Sequence, residues 1–338
     1  MIIIRHPTTY NSQMKNEIKR KQKDRPFQHV FKRTADKGVV FYRVEGHLVY
    51  FSIQSVMARR HNLPILASTH MFTHVHKMTA ASDPSQLEAF EHDVNTVFTR
   101  EYNTEYGRTG SLFASPFGRA TRRDDKLKRS SLIYVLNNPV EVRLAKRAIE
   151  DRWTFLAYYD NAFPFSERPV LNKCRWALRN AMQMVDYEFH GGRYLTYRIL
   201  NQLFNDLNKV EKEQLTDYII CRYFFFDVER CRQLFGSLER MISAADLTTG
   251  KEFDVGEESD GYNDIPYREM CSLANKYKLI GPGMPLWHLP EERMAKLADF
   301  LRNESTASEL EVARFLHRGL VLKKARQPAK AQPKFHAR

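Results

Sequence analysis

The sequence predicts an α+β domain with an antiparallel sheet, followed by a mainly α-helical region. Three observations predict it: strand-like and helix-like patterns alternate between residues 27 and 139, the connections between them are short, and strand signals fade beyond about residue 168.

Residues 27–41 are β-rich and open the alternation. A helix is expected over 46–60, where Leu48, Phe51, Ile53 and Val56 supply apolar positions. Strands follow over 63–69 and 72–78, with a break at 79–84. Pro84 and Ser85 open the next helix, in which Leu87, Phe90, Val94, Val97 and Phe98 recur at helical spacing as far as residues 102–107. Another strand is expected over 111–117. A further helix begins near Asp124, with Leu127, Leu132, Ile133 and Val135 as its apolar members, and is expected to stop at Pro139, because the residue before a proline is steered out of the α region. Such an order suits a ferredoxin-like sheet with helices on one face. The later helices are expected over 194–207, 210–226, 229–244, 266–278 and 290–302. Near the end, 295–302, a short turn and 308–317 read either as a helix-turn-helix or as a plain helical hairpin, with Ser308 and Glu311 matching a capping box.

The chain has 338 residues, 43% of them apolar, enough to bury a sizeable core. Lys and Arg exceed Asp and Glu by 53 − 40 = 13. Positive charge gathers at Lys15–Arg25, at Arg119–Arg129, and from Arg318 to Arg338, where seven basic residues stand with no acidic one. Any one cluster is equally a solvated face. Three together favour a polyanion whose phosphates supply a long-range, salt-sensitive attraction. Glu252, Asp254, Glu257, Glu258 and Asp260 form an acidic, glycine-bearing loop. The expected organisation is a basic segment over 1–26, a first domain over 27–165, a helical region over 166–248, an acidic linker over 249–262, a second helical region over 263–318 and a basic, disordered tail over 319–338. No apolar run reaches membrane-spanning length, and the nearest, 218–226, contains Arg222. The start lacks the pattern of a secretory signal, so the cytoplasm is the expected compartment. Four cysteines without a C-x-x-C pair argue against structural zinc and read as core thiols.

Two places can carry chemistry. In His74-Val75-His76, strand periodicity turns both imidazoles to one face, so they can converge on one ion; a polar sheet face is the commoner meaning of such a pair. Tyr134 and Asn138 stand four apart on a helix and share a face; singly they also read as a core aromatic and a helix-end residue.

In combination these motifs resemble the single-tyrosine HUH transposases, and among them the REP-associated tyrosine transposases that act on palindromic single-stranded DNA. The family's His-hydrophobic-His strand is similar to His74-Val75-His76, its Gly-x-Leu-Phe strand to Gly110-Ser111-Leu112-Phe113, and its Tyr-Ile-x-x-Asn-Pro-Val helix to Tyr134-Val135-Leu136-Asn137-Asn138-Pro139-Val140. A later Trp-to-Tyr stretch is similar to 153–158. Phe72 and Thr73 follow Met71 where the family commonly has Pro-Asn. The resemblance covers about residues 27–160, less than half the chain.

The resemblance implies an HUH-type fold, Tyr134 as nucleophile, and His74, His76 and Asn138 as ligands of Mg²⁺ or Mn²⁺. It implies an endonuclease and strand transferase that cleaves hairpin-containing single-stranded DNA through a covalent 5′-phosphotyrosine link, in a bacterial, nucleoid-associated setting, as a monomer or homodimer. Arg119, Arg122, Arg123 and Lys126 lie before the nucleophile helix, placed in sequence to grip phosphates, and Arg33 is a further candidate. Two alternatives stay open: a domesticated DNA-binding regulator on the same fold that no longer cuts, and a relaxase or replication initiator sharing the HUH site.

Overall fold

The computed structural model describes residues 26–81, 83–247, 263–280 and 289–318. The expected basic segment over 1–26 (save residue 26), the acidic linker and the basic tail lie outside them.

Strand β1 (Phe27–Arg33) leads to α1 (Val44–Arg60), β2 (Ile65–His70), β3 (His74–Thr79), α2 (Pro84–Tyr106), β4 (Gly118–Arg122) and α3 (Asp125–Glu141). The strands form one sheet in the order β2-β3-β1-β4, every neighbouring pair antiparallel. Consecutive strands joined through a helix therefore flank an intervening one, which is the split βαβ arrangement.

Local chemistry explains most boundaries. β1 is shorter than the expected 27–41 because the Asp36 side chain accepts from the Gly38 N–H, the Thr34 hydroxyl donates to the Gly38 carbonyl, and Lys37 takes a positive φ of 58°, which together make a turn. α1 is buried over nearly its whole length, because it lies between the sheet domain and the later helices. α2 is started by Asp83, which accepts from Gln86 N with Pro84 at the first position, and is ended by Gly107 at φ 64°. Its buried residues Leu87, Phe90, Val94, Phe98, Tyr102 and Tyr106 fall three or four apart.

Two expectations in this half are corrected. Residues 111–117 are not a strand: a single bridge joins Thr34 to Phe113, the Ser115–Pro116 peptide is cis, and the fourth strand begins only at Gly118. The apolar Phe113 and Phe117 that suggested a strand instead lie over the Lys32 ammonium, at 5.5 and 5.3 Å. Nor does Pro139 end its helix, since α3 continues to Glu141. Proline lacks the N–H that would reach the Val135 carbonyl four residues earlier, but the Thr69 hydroxyl of β2 donates to that carbonyl at 2.6 Å.

Three 3₁₀ turns between Ala148 and Tyr158 lead into α4 (Trp176–His190), α5 (Tyr197–Asn205), α6 (Lys209–Tyr223), α7 (Val228–Phe235), α8 (Leu238–Leu247), α9 (Ile265–Lys276), α10 (Glu291–Glu304) and α11 (Glu309–Phe315). The helix expected over 229–244 is two, broken at Gly236, whose φ of 85° no helix accepts. The Ser308–Glu311 capping box forms as expected. Val312 and Phe315 of α11 and its C-cap residue Leu316 are buried, and the Tyr42 hydroxyl donates to the Phe315 carbonyl at 2.5 Å. The buried apolar residues form one cluster from Phe27 to Leu316, so the helical regions share the core of the sheet domain. Among the described residues no helix is long and apolar enough to cross a membrane.

Candidate active site

Strand alternation gives the sheet two chemically different faces. On one, Val30, Lys32, Val75 and Lys77 meet α1 and α2, and Glu91 of α2 receives Lys77 Nζ at 2.5 Å and Lys32 Nζ at 3.4 Å. Burial pulls the Lys32 ammonium down to about 8 despite Glu91, whereas Glu91 holds Lys77 above the usual lysine range.

His29, Phe31 and Arg33 of β1 and His74 and His76 of β3 occupy the other face, with α3 across it. The rings of His74 and His76 lie 5.0 Å apart, near perpendicular at 82°. Tyr134 stands edge-on to two imidazoles, 5.6 Å from His76 and 5.6 Å from His29. It is half-buried, while His74, His76 and Asn138 are buried. Asn138, one turn beyond Tyr134, donates its Nδ2 to the Tyr134 carbonyl at 2.9 Å, which makes Oδ1 the end of the amide able to meet a cation. The structure thus gathers the rings of His74, His76 and Tyr134 on one sheet face, with Asn138 one helical turn beyond Tyr134 on α3.

The donor types, imidazole nitrogen and amide oxygen, are ones a divalent cation accepts. His76 Nδ1 is 3.0 Å from His29 Nε2, and His74 Nδ1 is 3.0 Å from the Thr73 hydroxyl, so a cation held by these rings would meet Nε2 of each. Among the described residues no group of three His, Cys, Asp or Glu is arranged to hold a metal, so a cation here would rest on two imidazoles and an amide oxygen.

The basic candidates divide. Arg33 is on the histidine face, opposite His74 in register, with its guanidinium 5.4 Å from the Phe31 ring. Arg122 is also on that face but is buried, and its Nε donates to Ser131 Oγ of α3 at 2.6 Å, so it braces the helix that carries Tyr134. Arg123 and Lys126 are exposed at the entry to α3. Arg119 belongs to the opposite face, paired in register with Val30, and its NH1 lies 3.5 Å from Glu88 of α2.

Sequence reasoning missed three supporting groups: His29, Thr73 and Thr69. His29-x-Phe31-x-Arg33 alternates on β1 as His74-x-His76 does on β3, and that shared period was the available signal. It also left unread the contribution of the C-terminal helices. Asp264 N donates to the Val142 carbonyl just past α3, and Arg268 to the Leu144 carbonyl, so α9 holds the end of the Tyr134 helix. Burial, with Glu311 adding and Arg33 opposing, pushes the Asp264 carboxyl up to about 7. Trp153 packs away from this face, stacked 3.9 Å from His47, whose imidazole burial holds well below its usual range.

No family model, curated protein or solved structure matches this chain.

Proposed function

We propose that the protein is a metal-dependent, tyrosine-nucleophile endonuclease and strand transferase acting on hairpin-containing single-stranded DNA, of the HUH transposase type. The observation that carries this reading is the placement of the Tyr134 ring 5.6 Å from His76, with Asn138 one helical turn further along α3.

In this mechanism the Tyr134 oxygen attacks the scissile phosphorus and the bond to the 3′ oxygen breaks, leaving a free 3′-OH on one DNA piece and a 5′-phosphotyrosine on the other. Attack by another 3′-OH reverses the step, so bond energy is conserved and no nucleotide cofactor is required. Mg²⁺ or Mn²⁺, when bound, would supply polarisation of a non-bridging phosphate oxygen. His74, His76 and Asn138 would hold it. Arg122, through Ser131, and Thr69, through the Val135 carbonyl, fix α3 against β4 and β2 and so hold the phenol in place. Arg33, Arg123 and Lys126 are the cations offered to DNA phosphates in this reading; Arg119, on the other face, is a weaker member of that set.

The test is incubation of wild type and Tyr134→Phe with labelled single-stranded hairpins from the DNA flanking the gene, with Mg²⁺ or Mn²⁺, resolved on denaturing gels. A metal-dependent covalent adduct in wild type, absent from Tyr134→Phe, is the expected result. Tight binding by both proteins with an adduct in neither replaces this reading with that of a non-cleaving DNA-binding protein.

A further inference from the structure

We propose that His29 is a positioning residue for the candidate site, acting through His76; the inference rests on the metal reading given above. His29 and His76 are both fully buried, on adjacent strands. Their register pairs Phe31 with His76 and His29 with Met78, so His29 reaches diagonally across the ladder to bring its Nε2 within 3.0 Å of His76 Nδ1. Phe31, directly opposite, packs against the same imidazole with ring centres 5.0 Å apart. β1 therefore fixes His76 twice, once by packing and once by a hydrogen bond.

The bond has a chemical direction. A ring nitrogen that binds a cation carries no proton, so a His76 that ligates through Nε2 carries its proton on Nδ1 and donates it to His29 Nε2. His29 is then the neutral tautomer protonated on Nδ1. The Thr73 hydroxyl stands in the same relation to His74 Nδ1, at 3.0 Å. The candidate ligands thus form two ligand–orienter pairs, and His29 also lies against the Tyr134 ring, at 5.6 Å.

The experiment is Mn²⁺ titration of the full-length protein, followed by the electron paramagnetic resonance signal of free Mn²⁺. Wild type is compared with His29→Leu, His29→Gln and His76→Ala, each checked for fold by circular dichroism. His29→Leu is expected to weaken Mn²⁺ binding by roughly 10- to 100-fold, the usual effect of losing such a partner. His29→Gln, whose amide oxygen can accept from His76 Nδ1, is expected to recover most of that loss. A folded His29→Leu that binds Mn²⁺ as tightly as wild type, while His76→Ala has lost it, overturns the role of His29 and leaves the metal site standing. A wild type that takes up no Mn²⁺ overturns both. Should His29→Leu fail to fold, ¹⁵N spectra of the wild-type imidazoles decide: a His76 protonated on Nδ1 supports the inference, and one protonated on Nε2 overturns it.

Discussion

On the face of the sheet turned to α1 and α2, Lys32 and Lys77 share the carboxylate of Glu91, a residue from outside the sheet. On the face turned to α3, His76 finds its partner within the sheet, in His29 of the neighbouring strand. Both faces bury polar side chains from the same two strands, one residue out of phase. The first arrangement is a closed set of opposite charges that ties a helix down. The second leaves imidazoles oriented by their own sheet and meeting α3 through an aromatic ring. A buried ion triad is thus a device of assembly, whereas a buried imidazole pair held by its own sheet is a device of presentation.

The largest effect that can break this contrast is expected from Glu91→Gln. It leaves two buried ammonium groups without the carboxylate they share, and urea unfolding is expected to show a loss of about 3–5 kcal/mol. Mn²⁺ affinity of the molecules that remain folded is expected to stay at the wild-type level; a parallel loss would mean that the two faces are coupled. Thr69→Val is expected to do the reverse. It strands the Val135 carbonyl above Pro139 at a cost of roughly 1–3 kcal/mol, with adduct formation reduced by more than stability accounts for, because the tie between β2 and the Tyr134 helix is lost. A third effect concerns pH. Asp264 is held at about 7 in the folded protein, well above a carboxyl in the unfolded chain, so the native state binds the extra proton between roughly pH 4 and pH 7. Its contribution to stability is fully present below that window and is lost as pH rises through it. Asp264→Asn is expected to flatten that part of the stability profile, read from urea midpoints at successive pH values.

Much of the element order was legible because each element carries one dominant period. The stripe Leu87, Phe90, Val94, Phe98 reads as a helix, and it is one. Failures came where a residue's role was set by something distant in sequence. Phe113 and Phe117 looked like strand residues but cover a buried lysine, and Pro139 looked like a stop but has its missing donor replaced by Thr69, 70 positions earlier. His29 was passed over for the same reason: its meaning depends on a strand register that no local pattern states. Placement of His74, His76, Tyr134 and Asn138 together was an expectation from motif resemblance, and the pairing of each imidazole with an orienting group could be read only from the folded chain. The attachment of the last helices to the core was hidden too, since their amphipathic patterns do not name the surface they cover.

That attachment has a consequence in time. The loop following β1 is held by the far end of the described chain: Tyr42 donates to the Phe315 carbonyl, 273 residues away, His317 pairs with Asp36 at 2.6 Å, and Val39 N donates to the Arg314 carbonyl. Contacts of such sequence separation form late, because a long loop must close before they contribute. On the ribosome, the strand that carries His29 and Arg33 emerges early but waits through the synthesis of nearly three hundred further residues for the helix that locks the adjoining loop. Until then the sheet can pair while the loop after β1 stays unlocked, so the core is completed only when the last described helix has been made.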